Sequence, residues 1–154
     1  MILFLLGPGT WQHIGTFDIR GDGFVSLGGV AQKIVGTTAT TCSTAETTMS
    51  GMTQTFTPKS RKIKISFNAP ITCGGSVSRA PVTLKIRINK GGLNYDVRTA
   101  YHQVYGTEIL SISTIESVTA NETITASILW SGTTSISSQP SLYGNRVMEI
   151  QDLY

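Results

Sequence analysis

From Val82 to Asn89 the chain reads Val-Thr-Leu-Lys-Ile-Arg-Ile-Asn, an unbroken alternation of apolar and polar residues. A helix would scatter these four apolar groups around its circumference. A strand puts Val82, Leu84, Ile86 and Ile88 on one face and Thr83, Lys85, Arg87 and Asn89 on the other. The same period recurs wherever the chain is strongly apolar. Ile63, Ile65 and Phe67 alternate with Lys62, Lys64 and Ser66. Leu110 and Ile112 fall at the same spacing, as do Ile124, Ala126, Ile128 and Trp130, and finally Met148 and Ile150. A one-residue slip would turn each buried set outward, so the alternation also predicts the core.

Composition agrees with this pattern. Thr and Ser fill 38 of 154 positions, Gly adds 16, and only 14% of residues are charged. Such a chain lacks the Ala, Glu, Lys and Leu enrichment of a helical bundle and is too apolar for disorder. Its length suits one domain.

Turn signals divide the chain into about eight strands. Asp22-Gly23 sits between Thr16–Ile19 and Phe24–Leu27, which predicts a hairpin. An edge-type strand is expected around Gln32–Thr37. Thr57-Pro58-Lys59-Ser60 separates Thr53–Phe56 from Arg61–Asn68 and predicts a second hairpin. Asn89-Lys90-Gly91-Gly92 predicts a third, with Leu93, Tyr95 and Val97 facing inward. Arg146–Leu153 is the expected closing strand. No run has helical period, and parallel strands would need crossover helices. The fold class is therefore all-β, a jelly-roll β-sandwich of about eight antiparallel strands.

Charge is unevenly spread. Thr47–Tyr95 holds eight basic residues and no acidic one, whereas Thr99–Tyr154 holds one Arg against four Glu and one Asp. Lys62, Lys64, Lys85 and Arg87 are predicted on outward faces and form a candidate basic face. Three readings are open for it: an anionic partner, a seam with the acidic part of another subunit, or a solvated surface. No aromatic residues interleave with these cations to stack bases, so nucleic acid is not the expected partner.

The residue pattern gives no catalytic constellation. His13 and His102 are the only histidines, and neither lies in a nucleophile motif. There is no GxSxG, no CxxC and no HExxH, so neither a catalytic residue nor a metal or other cofactor is expected. Arg20-Gly21-Asp22 spells an integrin-binding tripeptide, but a hairpin needs Gly and Asp there in any case. Asp18–Gly23 departs from a calcium loop, because Arg20 stands where an oxygen ligand belongs. Asn121-Glu122-Thr123 is a glycosylation sequon. Cys42 and Cys73 would pair only if the fold brought their strand ends together.

The N-terminus carries a second candidate surface. Ile2, Leu3, Phe4, Leu5 and Leu6 form an apolar run without alternation, followed by Gly7-Pro8-Gly9. The run is far shorter than the roughly 20 residues of a membrane span, and no basic residue precedes Arg20, so neither a span nor a cleaved leader is expected. Residues 1–15 are expected to be an apolar arm and hinge, and 16–154 the sandwich domain. The arm is either a covered strand of the chain's own sandwich or a docking strand for a neighbour.

The order of motifs in the second half resembles a known family. TFTPKSRKIKISF is followed by VTLKIRINKGGLNYDV, then ILSISTIESVTANETITASILW, then a final Tyr-Gly-Asn-Arg-Val-Met-Glu-Ile-Gln. This resembles the jelly-roll heads of the C1q/TNF-like superfamily in the form found among bacteriophage virion proteins. There a terminal Arg-x-hydrophobic-x-Glu-hydrophobic strand, here Arg146 to Ile150, runs through the middle of a sheet. The resemblance covers about Gln54–Leu153 and implies a homotrimer without a catalytic site. It implies a virion location, at the particle surface, as a capsid decoration or cement protein in contact with other virion proteins such as the major capsid protein. A receptor-binding head of a tail fibre or spike is the alternative, and a jelly-roll carbohydrate-binding or carbohydrate-active protein a further one. No fibrous shaft or Gly-X-Y repeat accompanies it, which favours the decoration reading.

Overall fold

The structure, a computed structural model, describes residues 2–7, 10–20, 23–26, 31–73, 79–132, 136–138 and 145–153, with side chains from residue 33 onward except at 136–138. Every regular element among them is a strand. The sandwich begins with β4 (Ala31–Gly36) and β5 (Thr40–Thr41). It continues through β6 (Thr47–Phe56), β7 (Lys62–Cys73), β8 (Ala80–Lys90), β9 (Leu93–Val104) and β10 (Thr107–Ser117). It closes with β11 (Ile124–Gly132), β12 (Ile136–Ser138) and β13 (Arg146–Leu153).

Two antiparallel sheets result. One runs β4-β13-β7-β10; the other runs β6-β11-β8-β9. Short β12 and β5 extend the first sheet beyond β13, where β12 pairs with Ile71–Cys73. The pairings are nested: β8 with β9, β7 with β10, β6 with β11 and β4 with β13. A single long hairpin with β8–β9 at its tip, rolled until β13 meets β7 and β11 meets β8, gives this order, which is a jelly roll. The closing strand Arg146–Leu153 lies between β4 and β7, in mid-sheet as expected.

The alternation reads the core correctly. Ile63, Ile65, Phe67, Leu84, Ile86, Ile88, Leu110, Ile112, Ile124, Ala126, Ile128 and Trp130 are all at most 4% exposed. The β8–β9 turn also matches: Gly91 and Gly92 both adopt positive φ, 58° and 80°, the geometry of a tight two-residue hairpin. Arg20 pairs with Gly23 and Phe17 with Ser26, so the first expected hairpin forms as β2 (Thr10–Arg20) and β3 (Gly23–Ser26).

Other expectations are corrected. Thr53–Phe56 and Arg61–Asn68 do not form a hairpin, because β6 and β7 belong to opposite sheets. The segment between them crosses the end of the sandwich and is held there by Asp152. That buried carboxylate accepts the N–H of Lys59 at 3.0 Å and of Ser60 at 3.1 Å. Leu93 and Tyr95 are 62% and 41% exposed, not inward-packed. A register shift between Ile86 and Arg87 puts a bulge into β9, and only Val97 packs against the core there.

The N-terminal expectation also changes. β1 (Ile2–Gly7) pairs with β2, Leu6 opposite Trp11 and Gly7 opposite Thr10. Gly7 is thus a ladder residue of β1. Pro8 and Gly9 lie outside the described residues. Strands β1-β2-β3 make a sheet of their own, so β1 is not a strand of either sandwich sheet. Strand β2 runs through residues 15 and 16, and the first strand paired into the two sandwich sheets is β4.

Candidate functional site

The four residues of the candidate basic face do not form one stripe. Lys62 and Lys64 project from β7 on the outer side of the first sheet, while Lys85 and Arg87 project from β8 on the outer side of the second. The sandwich core lies between the two pairs. Period-2 reading assigns each side chain a face of its own strand, but it does not say which strands share a sheet.

Lys85 and Arg87 are moreover engaged by carboxylates. Lys85 Nζ lies 2.5 Å from Glu46 Oε2 and 2.9 Å from Asp96 Oδ2. Arg87 donates through Nε to Asp96 Oδ1 at 2.5 Å and through Nη2 to Glu46 Oε1 at 3.0 Å. Register explains the meeting with Asp96, which stands directly opposite Arg87 on β9. The Arg87 hydrogen bond is the main cause holding the Asp96 carboxyl down at about 2. Hydrogen bonds to the same acids, Glu46 first, raise Lys85, and those to Asp96 first raise Arg87. Two cations and two carboxylates therefore close on themselves and leave this face with little net charge for a partner. Glu46 and Asp96 flank the basic stretch in sequence, one residue outside each end. That flanking position was the sequence signal for the cluster.

Beside this cluster the second sheet presents hydroxyls. Thr53 pairs with Ser127 at 3.1 Å, Thr55 with Thr125 at 3.3 Å and Thr57 with Thr123 at 2.9 Å. The first two pairs tie β6 to β11, and the third joins the segments just beyond the two strands.

The outer side of the first sheet is different. Val35 on β4 and Ile109 and Ile115 on β10 are 45%, 60% and 61% exposed. On the same side Ser113 stands opposite Ser66, Ser111 opposite Asn68, Ile115 opposite Lys64 and Glu149 opposite Lys33. At the β9–β10 side lies an open groove of about 370 Å³. Lys64 and Arg98 bring positive charge to it, and Ser66, Asn68, Ser111 and Ser113 bring polar groups. No carboxylate, histidine or cysteine lines that groove, so it offers no acid–base pair.

The remaining chemistry-bearing residues are scattered. No group of three His, Cys, Asp or Glu side chains with metal-site geometry occurs among the described residues. Cys42 and Cys73 are both buried and are not joined in a disulfide. Strand β12 intervenes between β5, which ends beside Cys42, and Cys73, so the two backbones sit about two strand spacings apart, roughly 9–10 Å, beyond the usual Cα separation of a disulfide. Burial pushes the Cys42 thiol up to about 11. Side chains of Ile2, Leu3, Phe4, Leu5, Leu6 and His13, and residues Gly21 and Asp22 of the tripeptide, lie outside the described set.

Two buried polar residues on β13 escaped the sequence reading. Asp152 holds the crossing segment, and Arg146, fully buried, donates to the Ser50 carbonyl at 3.2 Å. Both fall on the apolar period of Met148 and Ile150, so a polar residue on a buried period was the available signal.

No model of a known family matches the chain, and no curated protein matches it. Among solved structures, the chain is similar to one in the structure of the infectious bursal disease virus Gx strain, with a TM-score of 0.47 and 10% identity, covering 100% of this chain and 42% of that one. A second similarity is to the Gt strain of the same virus, with a TM-score of 0.44 and 10% identity, covering 100% of this chain and 43% of that one. The chain thus spans less than half the length of the structures it resembles.

Proposed function

We propose that this protein is a non-enzymatic structural subunit of a virus particle, of the phage capsid-decoration type. In this reading it associates with copies of itself as a trimer and docks on other virion proteins, the major capsid protein first, through Ile2–Leu6. The observation that carries it is the outer side of the first sheet, where Val35, Ile109 and Ile115 stand exposed among polar and charged side chains. Isolated exposed aliphatics are ordinary, but several on one flat sheet face suit contact with another protein. Support also comes from the carboxylates Glu46 and Asp96, which are committed to Lys85 and Arg87 instead of converging in a cleft as a glycosidase requires.

The receptor-binding alternative calls for aromatic residues gathered at one end of the sandwich. Among the described residues, the exposed tyrosines Tyr95 and Tyr101 lie on β9 and Tyr105 just past its end, which spreads them over roughly 33 Å.

Electron microscopy of native particles labelled with an antibody against this chain tests the reading. Label distributed over the shell is expected. Label confined to a tail or spike supports the receptor head, and unlabelled particles overturn both. Deleting residues 1–6 tests the docking strand: a folded protein that no longer joins the particle supports it, and a protein that folds and still joins removes it.

A further inference from the structure

The two sheets expose four long edges, β4, β6, β9 and β10, and three of them are blunted. Strand β4 is six residues long and carries Lys33. Strand β6 is broken by a register shift and by Gly51 at φ 72°. Strand β9 carries a bulge beside Asp96 and Arg98. These are the devices by which sheet edges avoid pairing with other chains.

Strand β10 has no break, no bulge and no cation, and its only charges are Glu108 and Glu116, one near each end. It pairs with β7 in continuous register over all eleven residues, from Thr107–Thr72 to Ser117–Lys62. It contains no Lys, Arg, Pro or Gly, and Ile109 and Ile115 stand exposed on its outer face. Its other edge pairs with no strand among the described residues.

The strand is also close to a palindrome. Thr-Glu-Ile-Leu-Ser-Ile-Ser-Thr-Ile-Glu-Ser reads the same in both directions at seven of its eleven positions. An antiparallel copy related by a two-fold axis at Ile112 therefore meets its own sequence. Ile109 faces Ile115 of the second copy, and Ser111 faces Ser113 of the second copy. Such a contact is isologous, each copy giving and receiving the same residues.

We propose that β10 is a two-fold self-pairing edge, which joins the first sheets of two copies into one continuous eight-stranded sheet. This deepens the self-association reading above and rests on it. A single strand edge buries less than the roughly 1,600 Å² of a standard interface, so the contact is weak and concentration-dependent. Its ends weaken it further, because Glu108 meets Glu116 of the second copy and like charges directly opposite repel. Each carboxylate is occupied within its own chain, Glu108 by the Tyr105 N–H at 3.1 Å and Glu116 by the Thr114 hydroxyl at 2.5 Å. A weak symmetric contact of this kind forms where copies are concentrated, as on an assembling particle. If the units are trimers, it links trimers in pairs.

Sedimentation velocity on the full chain over a concentration series tests this, with thermal melts to confirm folding of each variant. The wild type is expected to form dimers, or hexamers if the unit is a trimer. Ile109→Lys and Ile115→Lys should weaken that step by about tenfold or more. Glu108→Gln and Glu116→Gln should strengthen it, which a merely structural role for these two positions would not produce. A trimer that never pairs, or a dimer indifferent to both lysines, overturns the edge pairing and leaves self-association standing. A monomer at the highest concentration reached overturns both.

Discussion

Gly36 and Arg146 stand opposite one another on β4 and β13, and the guanidinium of Arg146 fills the space a side chain at Gly36 would take. A β-carbon there would lie 2.9 Å from Nε and Nη2 of Arg146 and 2.7 Å from the Met52 methyl. Arg146 and Met52 are both fully buried, so neither can move aside into solvent.

Gly36→Ala is therefore expected to destabilise the protein by about 1–3 kcal/mol, the usual cost of overpacking a core. Chemical denaturation should show a lower midpoint with an unchanged slope. A variant as stable as the wild type would mean that Arg146 has another place to go.

Asp152→Ala should cost about 3 kcal/mol. Hydrogen bonds to a charged group contribute roughly 1.5–3 kcal/mol, and the N–H groups of Lys59 and Ser60 would lose a buried acceptor. Asp152→Asn keeps an oxygen and should cost less. Equal stability of the two variants, measured by urea titration, would count against the capping role.

Asp96 gives a pH dependence. Its carboxyl is lowered in the folded protein to about 2 from the ordinary 3.8, chiefly by the Arg87 hydrogen bond. The folded state binds that proton less readily than the unfolded one, so the stabilisation is complete above 3.8 and is lost as pH falls through about 2. Asp96 is 37% exposed, and solvent screening limits the effect to about 0–1 kcal/mol. Melting curves of the wild type and Asp96→Asn should differ at pH 5 and converge near the acid limit, and added salt should narrow the gap.

The thiols should be silent in the native protein. Cys42 and Cys73 are 3% and 9% exposed, and the Cys42 thiol lies at about 11. A thiol reagent near neutral pH is expected to label neither until denaturant is added, and then to label both without prior reduction. One rapidly labelled native thiol would contradict the burial of that strand end.

Most of the sandwich was legible because side-chain alternation is a local property. Leu84 and Ile128 announce their buried faces within four residues on either side. Pairing between strands is not local, and the misread segments show why. Pro58 marks a chain reversal in sequence whether the chain returns in the same sheet or crosses to the other, and only Asp152, 92 residues beyond Ser60, makes the crossing favourable. Met49 and Met52, three apart, break the strand period because Gly51 and the accompanying register shift reset it. The Lys85–Arg87 pair read as a charged face for the same reason, since Asp96 comes opposite Arg87 only after the β8–β9 turn has formed.

The mid-sheet position of β13 has a consequence during synthesis. Strands β4 and β7 touch one another only through β13, which follows every other strand of the sandwich in the chain. A nascent chain therefore waits with both strand edges open until Arg146–Leu153 has cleared the exit tunnel, and folding is governed by its most distant contacts. Premature termination anywhere before Arg146 would leave those edges without their partner, so truncated products should be insoluble instead of merely less stable.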